Sequence, residues 1–181
     1  MSANFQALKG PQDTNPNIKA TPIGIRPSAP GDSDRLRTFF DTLSSSARHN
    51  RFLSSVAKVS TNLIDLFATA NQRDHVALLA TRMTERGEQI IAEARFVVAP
   101  ENRAAAELAL TVADNWQGQG MGQQLLVLIE QLARDRGLRF LWADTIPTNK
   151  PMIRLAERIG FDRCRHPHDF KLARLEKELA Q

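Results

Sequence analysis

Asn115-Trp116-Gln117-Gly118-Gln119-Gly120-Met121-Gly122 stands between an apolar run ending at Val112 and an amphipathic run from Met121 to about Leu132. Strand-like residues before three closely spaced glycines, and helix-like residues after them, predict a tight turn whose backbone approaches a ligand. Glycine permits that approach because it lacks a Cβ and tolerates positive φ. The free amides and positive end of a helix N-terminus favour an anion, phosphate above all. A glycine turn without a ligand is the competing reading.

Upstream of this turn the pattern is that of a meander. His75 to Met83 and Gln89 to Val98 read as strands joined by a hairpin loop over Thr84-Glu85-Arg86-Gly87-Glu88, so antiparallel pairing is expected. Pro100 to Arg103 forms a polar turn, and Ala105 to Val112 then alternates Leu108, Leu110 and Val112 with Glu107, Ala109 and Thr111. Earlier still, Ile23 to Pro27 is a short strand, and Gly31-Asp32 supplies a turn and N-cap for a helix carrying Leu36, Phe39, Phe40 and Leu43. Ser44-Ser45-Ser46 ends that helix, and a second runs from about Thr61 to Ala70. Residues 1–20, polar and broken by Gly10, Pro11 and Pro16, read as a mobile arm before one domain over residues 21–181.

Downstream, apolar positions 121, 125, 128, 129 and 132 follow the helical period, and Gly137 fits a C-cap. Arg139 to Ala143 is the next strand, one helix after the strand entering the turn, so the two can pair in parallel through a crossover. Asn149 and Pro151 open a helix with Met152, Leu155, Ala156 and Ile159 on one side, ended by Gly160. A last strand pair from about Phe161 to Leu175 is interrupted by His166-Pro167-His168. The expected fold is α/β (α+β), with a mixed, mostly antiparallel central sheet flanked by helices.

Composition sets outer bounds. At 181 residues, with 42% hydrophobic and 24% charged residues, the chain suits an ordinary soluble domain with a buried core. Apolar runs stay well below the ~20 residues that span a bilayer. No secretory pattern opens the chain, and Cys164, the single cysteine, excludes an internal disulfide framework, so a cytoplasmic setting is expected. The formal charge of +4 suits an acidic ligand, whereas scattered arginines, 6% aromatics and no tyrosine argue against nucleic acid. His49, His75, His166 and His168 lack helical i, i+4 spacing, so no metal is expected.

A dinucleotide fingerprint, Gly-x-Gly-x-x-Gly, fails in both registers: its third glycine would fall on Gln123 or on Leu125. Gln117-Gly118-Gln119-Gly120-Met121-Gly122 instead fits Gln/Arg-x-x-Gly-x-Gly/Ala, and in this the chain resembles the GNAT superfamily of N-acetyltransferases. The resemblance implies that the backbone of Gln117, Gly118, Gln119, Gly120, Met121 and Gly122 binds the pyrophosphate of acetyl-CoA, with Leu110 to Val112 facing its pantetheine arm. Asn149, eleven residues before Gly160-Phe161, matches the family's later motif and a coenzyme contact, although alone it reads equally as an N-cap.

Glu107 is the candidate general base, since an amine with a pKa near ~10.4 must lose a proton before it attacks a thioester. By pattern alone Glu107 is equally a solvent-facing strand residue. The stretch Ala106 to Val112, with Asp114 and Trp116, is most similar to bacterial protein lysine acetyltransferases that modify acetyl-CoA synthetase, in which an acidic residue here is implicated in catalysis. The subgroup resemblance extends to Ser44 through Phe52, where Arg48, Arg51 and Phe52 align loosely; this stretch reads as a solvated basic loop or an acceptor contact. The family's proton-donating tyrosine is replaced by Ala156, and Cys164 is a weak substitute. Acetyl transfer to a primary amine, on a protein lysine or a small molecule, is expected, by direct attack in a ternary complex. A non-catalytic acyl-CoA-binding module is the alternative, and the oligomeric state, a dimer included, is left open.

Overall fold

The computed structural model describes residues 22–70 and 73–180, so the arm expected over 1–20 lies outside the described residues. Seven strands form one sheet in the order β1-β2-β3-β4-β5-β7-β6. They are β1 (Ile23–Pro27), β2 (His75–Thr84), β3 (Gly87–Val98), β4 (Ala105–Val112), β5 (Phe140–Thr145), β6 (Asp162–Arg165) and β7 (Ala173–Glu178). β4 and β5 pair in parallel and every other neighbouring pair is antiparallel, which matches the expected mixed sheet.

Among the described residues five α-helices cover the two faces: α1 (Ser33–Thr42), α2 (Ser45–Phe52), α3 (Thr61–Ala68), α4 (Met121–Arg134) and α5 (Lys150–Arg158). The larger core places α4 and α5 over one face, with Leu125, Leu126 and Ile129 against Phe96, Leu108 and Leu141. A second core joins α1 and α3 to the other face through Leu36, Phe40, Ile64 and Phe67 around Leu79 and Ile90. A register shift in the β2–β3 ladder, where Ala80 faces Ala92 but Thr81 faces Ile90, leaves Ile91 unpaired with β2. Ile91 and Ala92 therefore both enter the larger core, while Ile90 enters the smaller one.

Three expectations need correction. Ser44 does not end a helix into a loop: its hydroxyl accepts from the Ala47 N–H at 3.1 Å and starts α2. Serine stops one helix and caps the next because its side chain competes for backbone donors. The second expected helix, now α3, stops at Ala68 rather than Ala70. Last, the expected strand pair from about Phe161 to Leu175 extends to Glu178, and its second strand, β7, lies between β5 and β6.

Asp32 precedes α1 as expected but makes no side-chain cap to that helix. Its carboxylate instead takes both terminal nitrogens of Arg26 at 2.7 Å and the Ala29 N–H at 2.9 Å. Arg26 also reaches Glu88 at 2.6 and 3.0 Å, tying β1, the start of α1 and the β2–β3 hairpin together. Burial opposes ionisation of Asp32, but the Arg26 hydrogen bonds prevail and hold its pKa below the usual value. Arg26→Met should cost about 2 kcal/mol in urea unfolding, because it removes both short bonds to a buried carboxylate and leaves it the Ala29 N–H and Arg35 at 3.3 Å. The carboxylate's contribution is present above its unfolded pKa and is lost as pH falls through the lower folded one.

Candidate active site

The parallel ladder between β4 and β5 is short. It runs from Ala105↔Phe140 to Glu107↔Trp142 and then stops. From Leu108 to Val112 the strand keeps β3 on one side and has no ladder partner on the other among the described residues. Into this gap opens a cavity of about 370 Å³ that reaches both faces of the sheet. Its size is that of a ligand site, and the open strand edge offers backbone groups to an extended, amide-bearing ligand.

On the α4 and α5 face the cavity is bounded by Leu110, Val112, Met152, Leu155 and the glycine turn. Gly118 and Gly120 have φ of 75° and 81°, a region in which side chains are strained, and a Cβ at either would meet no atom within 4 Å. Gly120 is the N-cap of α4 without a side-chain cap. The first helical bond there runs from Gln124 N–H to the Gly120 carbonyl, leaving the Met121, Gly122 and Gln123 amides without partners among the described residues. These donors border open space, which is the form of an anion cradle.

Other members of the expected set act differently. Gln117 donates from Nε2 to the Val112 carbonyl at 3.1 Å and Gln119 to the Asn115 carbonyl at 2.9 Å, so both side chains brace the turn, and the Gln117 N–H is itself taken by the Asp114 carbonyl at 3.3 Å. Met121 is buried in the core and has only its amide to offer. At Gly122 a Cβ would lie 3.0 Å from Leu155 and 3.3 Å from Leu110, so this glycine lets α5 and β4 close on the turn. Asn149 lines the cavity, yet its Oδ1 accepts from the Met152 N–H at 3.3 Å. The N-cap role is therefore present, while its amide nitrogen stays unpaired among the described residues.

Across the sheet the cavity meets Glu107, Asp144 and Arg51. Glu107 is exposed to the cleft, but the surrounding walls remove much of its water; this desolvation, with the nearby charge of Asp144, raises its pKa. Arg51 and Arg174 oppose the rise. Asp144 receives Arg174 at 2.8 and 3.0 Å and lies 3.1 Å from His166 Nε2. His166 Nδ1 accepts the N–H groups of His168 and Asp169, so Nε2 carries the proton and donates to Asp144. The Arg174 guanidinium also stacks 4.2 Å from the Trp142 ring centroid.

Arg48 and Arg51 are not a solvated basic loop. Arg48 donates to the Leu43 and Asp41 carbonyls at the end of α1. Arg51 is largely buried, 3.6 Å from Glu93 and stacked on Phe52 and Phe67. Glu93 contacts Arg95, which lies over Phe67 and reaches His75 at 2.8 Å. Burial, then the Arg95 charge, pulls the His75 pKa down to about 4, so the imidazole is neutral and accepts from Arg95. This buried ionic group holds Arg51 against the cleft.

Asp114 joins the two halves: it accepts from the Ser44 N–H at 2.9 Å and hydroxyl at 2.6 Å, linking α2 to the chain just before the glycine turn. Ala156, in place of the family's tyrosine, is buried in the core. Cys164 is exposed on β6, with its thiol pKa raised by desolvation and by the charges of Glu176 and Asp162, and His166 turns to Asp144 instead. Neither feature favours a cysteine nucleophile. Asp144 was not a candidate by sequence, whereas Arg51 lay in the stretch read as a solvated basic loop or an acceptor contact.

A strand edge opened beside a glycine turn, an uncapped helix and a cleft carboxylate form a site for an extended ligand that ends in an anion. The profile of the acetyltransferase (GNAT) family matches residues 44–161, and the chain belongs to that family. It is 29% identical over 169 residues to acetyltransferase PA5475 of Pseudomonas aeruginosa, covering 93% of this chain and 90% of that one. It is 32% identical over 137 residues to acetyltransferase Pat of Mycolicibacterium smegmatis, spanning 75% of this chain but 40% of that longer protein. The GNAT domain of S. lividans PAT superposes with a TM-score of 0.78 at 29% identity, covering 87% of this chain and 90% of that one. Acetyl-CoA is the family's co-substrate, and one further solved structure of this fold carries it. No helix among the described residues is long and apolar enough to cross a membrane.

Proposed function

We propose that this N-acetyltransferase acetylates lysine side chains on protein surfaces, with Glu107 as the base. The carrying observation is the pair of cleft carboxylates, Glu107 and Asp144, on a sheet face left open beyond β5, where Trp142 is half-buried and Asp162, Cys164 and Glu176 are exposed. Glu107 attracts a cationic amine, Asp144 with its partners Arg174 and His166 forms the wall beside it, and the open face admits a bulky acceptor. The likeness to Pat and to the PAT domain supports the same reading.

The coenzyme supplies an acetyl thioester. Leu110 and Val112 flank its pantetheine arm, the amides of residues 121–123 receive the pyrophosphate, and the amide nitrogen of Asn149 reaches the same arm. Glu107 takes a proton from the acceptor ammonium, directly or through water, and its raised pKa makes it a better acceptor than an ordinary carboxylate. The neutral nitrogen attacks the acetyl carbon, the C–S bond breaks, and the thiolate takes a proton from the attacking nitrogen or from water. We place the reaction in the cytoplasm. Incubation of a deacetylated bacterial lysate with the chain and acetyl-CoA, followed by acetyl-lysine mass spectrometry, should reveal newly modified proteins. Turnover confined to small amines would overturn the protein-lysine assignment.

A further inference from the structure

Acetyl-CoA bears a pyrophosphate and, beyond it, a phosphate on the ribose 3′ position. The turn from Asn115 to Gln123 contains no lysine or arginine, so its amides and the α4 N-terminus are the only positive groups it offers. Charge for the remaining phosphate has to come from elsewhere on the wall.

The cations lining the cavity are Arg51, Arg154 and Arg158. Arg51 belongs to the acceptor half and is held by Glu93 and two phenylalanines. Arg154 and Arg158 stand one helical turn apart on α5, both exposed, and neither has an ion pair or hydrogen bond among the described residues. Their position relative to the turn follows from Leu155, the neighbour of Arg154, which packs against Gly122. Two unpaired guanidiniums thus border the outer part of the cleft next to the predicted pyrophosphate cradle. A guanidinium binds phosphate in bidentate fashion, and residues at i and i+4 share one helix face.

We infer that Arg154 and Arg158 form a binding site for the ribose 3′-phosphate and select 3′-phosphorylated coenzyme A thioesters. The site rests on the coenzyme reading of the glycine turn and extends it to the exposed face of α5.

Calorimetric titration of the full chain with acetyl-CoA and with acetyl-3′-dephospho-CoA tests the assignment. The wild-type chain should prefer acetyl-CoA by about tenfold or more, as expected for charge-assisted phosphate contacts. In Arg154→Gln/Arg158→Gln that preference should vanish, while affinity for the dephospho ligand stays within about twofold of wild type, which also reports an intact fold. No preference in the wild type, or a preference kept by the double variant, would overturn the inference. Equal loss for both ligands would assign the arginines to the pyrophosphate and overturn it as well. A wild-type chain that binds neither ligand would instead bring down the coenzyme reading on which the site rests.

Discussion

Glu107→Gln should lower kcat about 10²- to 10³-fold and leave acetyl-CoA affinity within about twofold, the pattern of a lost general base. Glutamine keeps the size and hydrogen-bonding capacity of the side chain but cannot take a proton. Steady-state kinetics with an amine acceptor, alongside direct coenzyme titration, separates the two effects. The pH profile supplies an independent check. Burial and Asp144 raise the Glu107 pKa, so the base is inactive below that raised value and becomes competent as pH climbs through it. In wild type kcat/KM should rise across that limb, and in Glu107→Gln the limb should disappear, leaving only the rise due to the amine itself near ~10.4. Unchanged turnover in the variant would remove Glu107 from the mechanism.

Gly120→Val is the second large effect. Gly120 has a φ of 81°, and the Cβ direction points into space that no protein atom approaches within 4 Å. A branched side chain there costs about 1–3 kcal/mol of backbone strain and occupies the space assigned to phosphate. Acetyl-CoA affinity should fall by about 100-fold or more, which is roughly the loss of two charge-assisted hydrogen bonds. Gly137 is the control: its φ of 76° and open surroundings impose the same strain, but it lies at the other end of α4 and does not line the cavity. Gly137→Val should lose stability and keep coenzyme affinity. Equal loss of affinity in both variants would assign the effect to folding and remove the turn from coenzyme binding.

The glycine-turn half of the cleft was readable in the sequence because local rules govern it. Glycines at positive φ, a 3.6-residue period and a strand of alternating polarity are encoded within about twenty residues, and the structure has β4, the turn and α4 at the expected places. Asn149 shows the limit of such reading: one asparagine fits both a cap and a coenzyme contact, and its hydrogen bond to Met152 demonstrates only the first.

The half around Glu107 and Asp144 was less legible because its parts come from distant segments. Ser44 to Phe52 looked like a polar loop, since α2 buries a cation and an aromatic rather than an apolar stripe, and the partners of Arg51 lie on β3 and α3. Asp144 gained meaning only when β7 inserted beside β5 and brought Arg174 opposite it. Local composition carries no sign of that insertion, and His166, which looked like a surface turn, became the second partner of the carboxylate through it. Asp32 shows a local competition instead: the cap signal lost to the Arg26 guanidinium, six residues away on β1.

The most direct measurement is release of free thiol from acetyl-CoA by the purified chain with a panel of primary amines and lysine peptides, matched to acetylated product. The account predicts release that depends on the acceptor, is stoichiometric with new amide and collapses in Glu107→Gln. Tight coenzyme binding with no acceptor-dependent release across the panel would contradict it and leave a binding module in place of an enzyme.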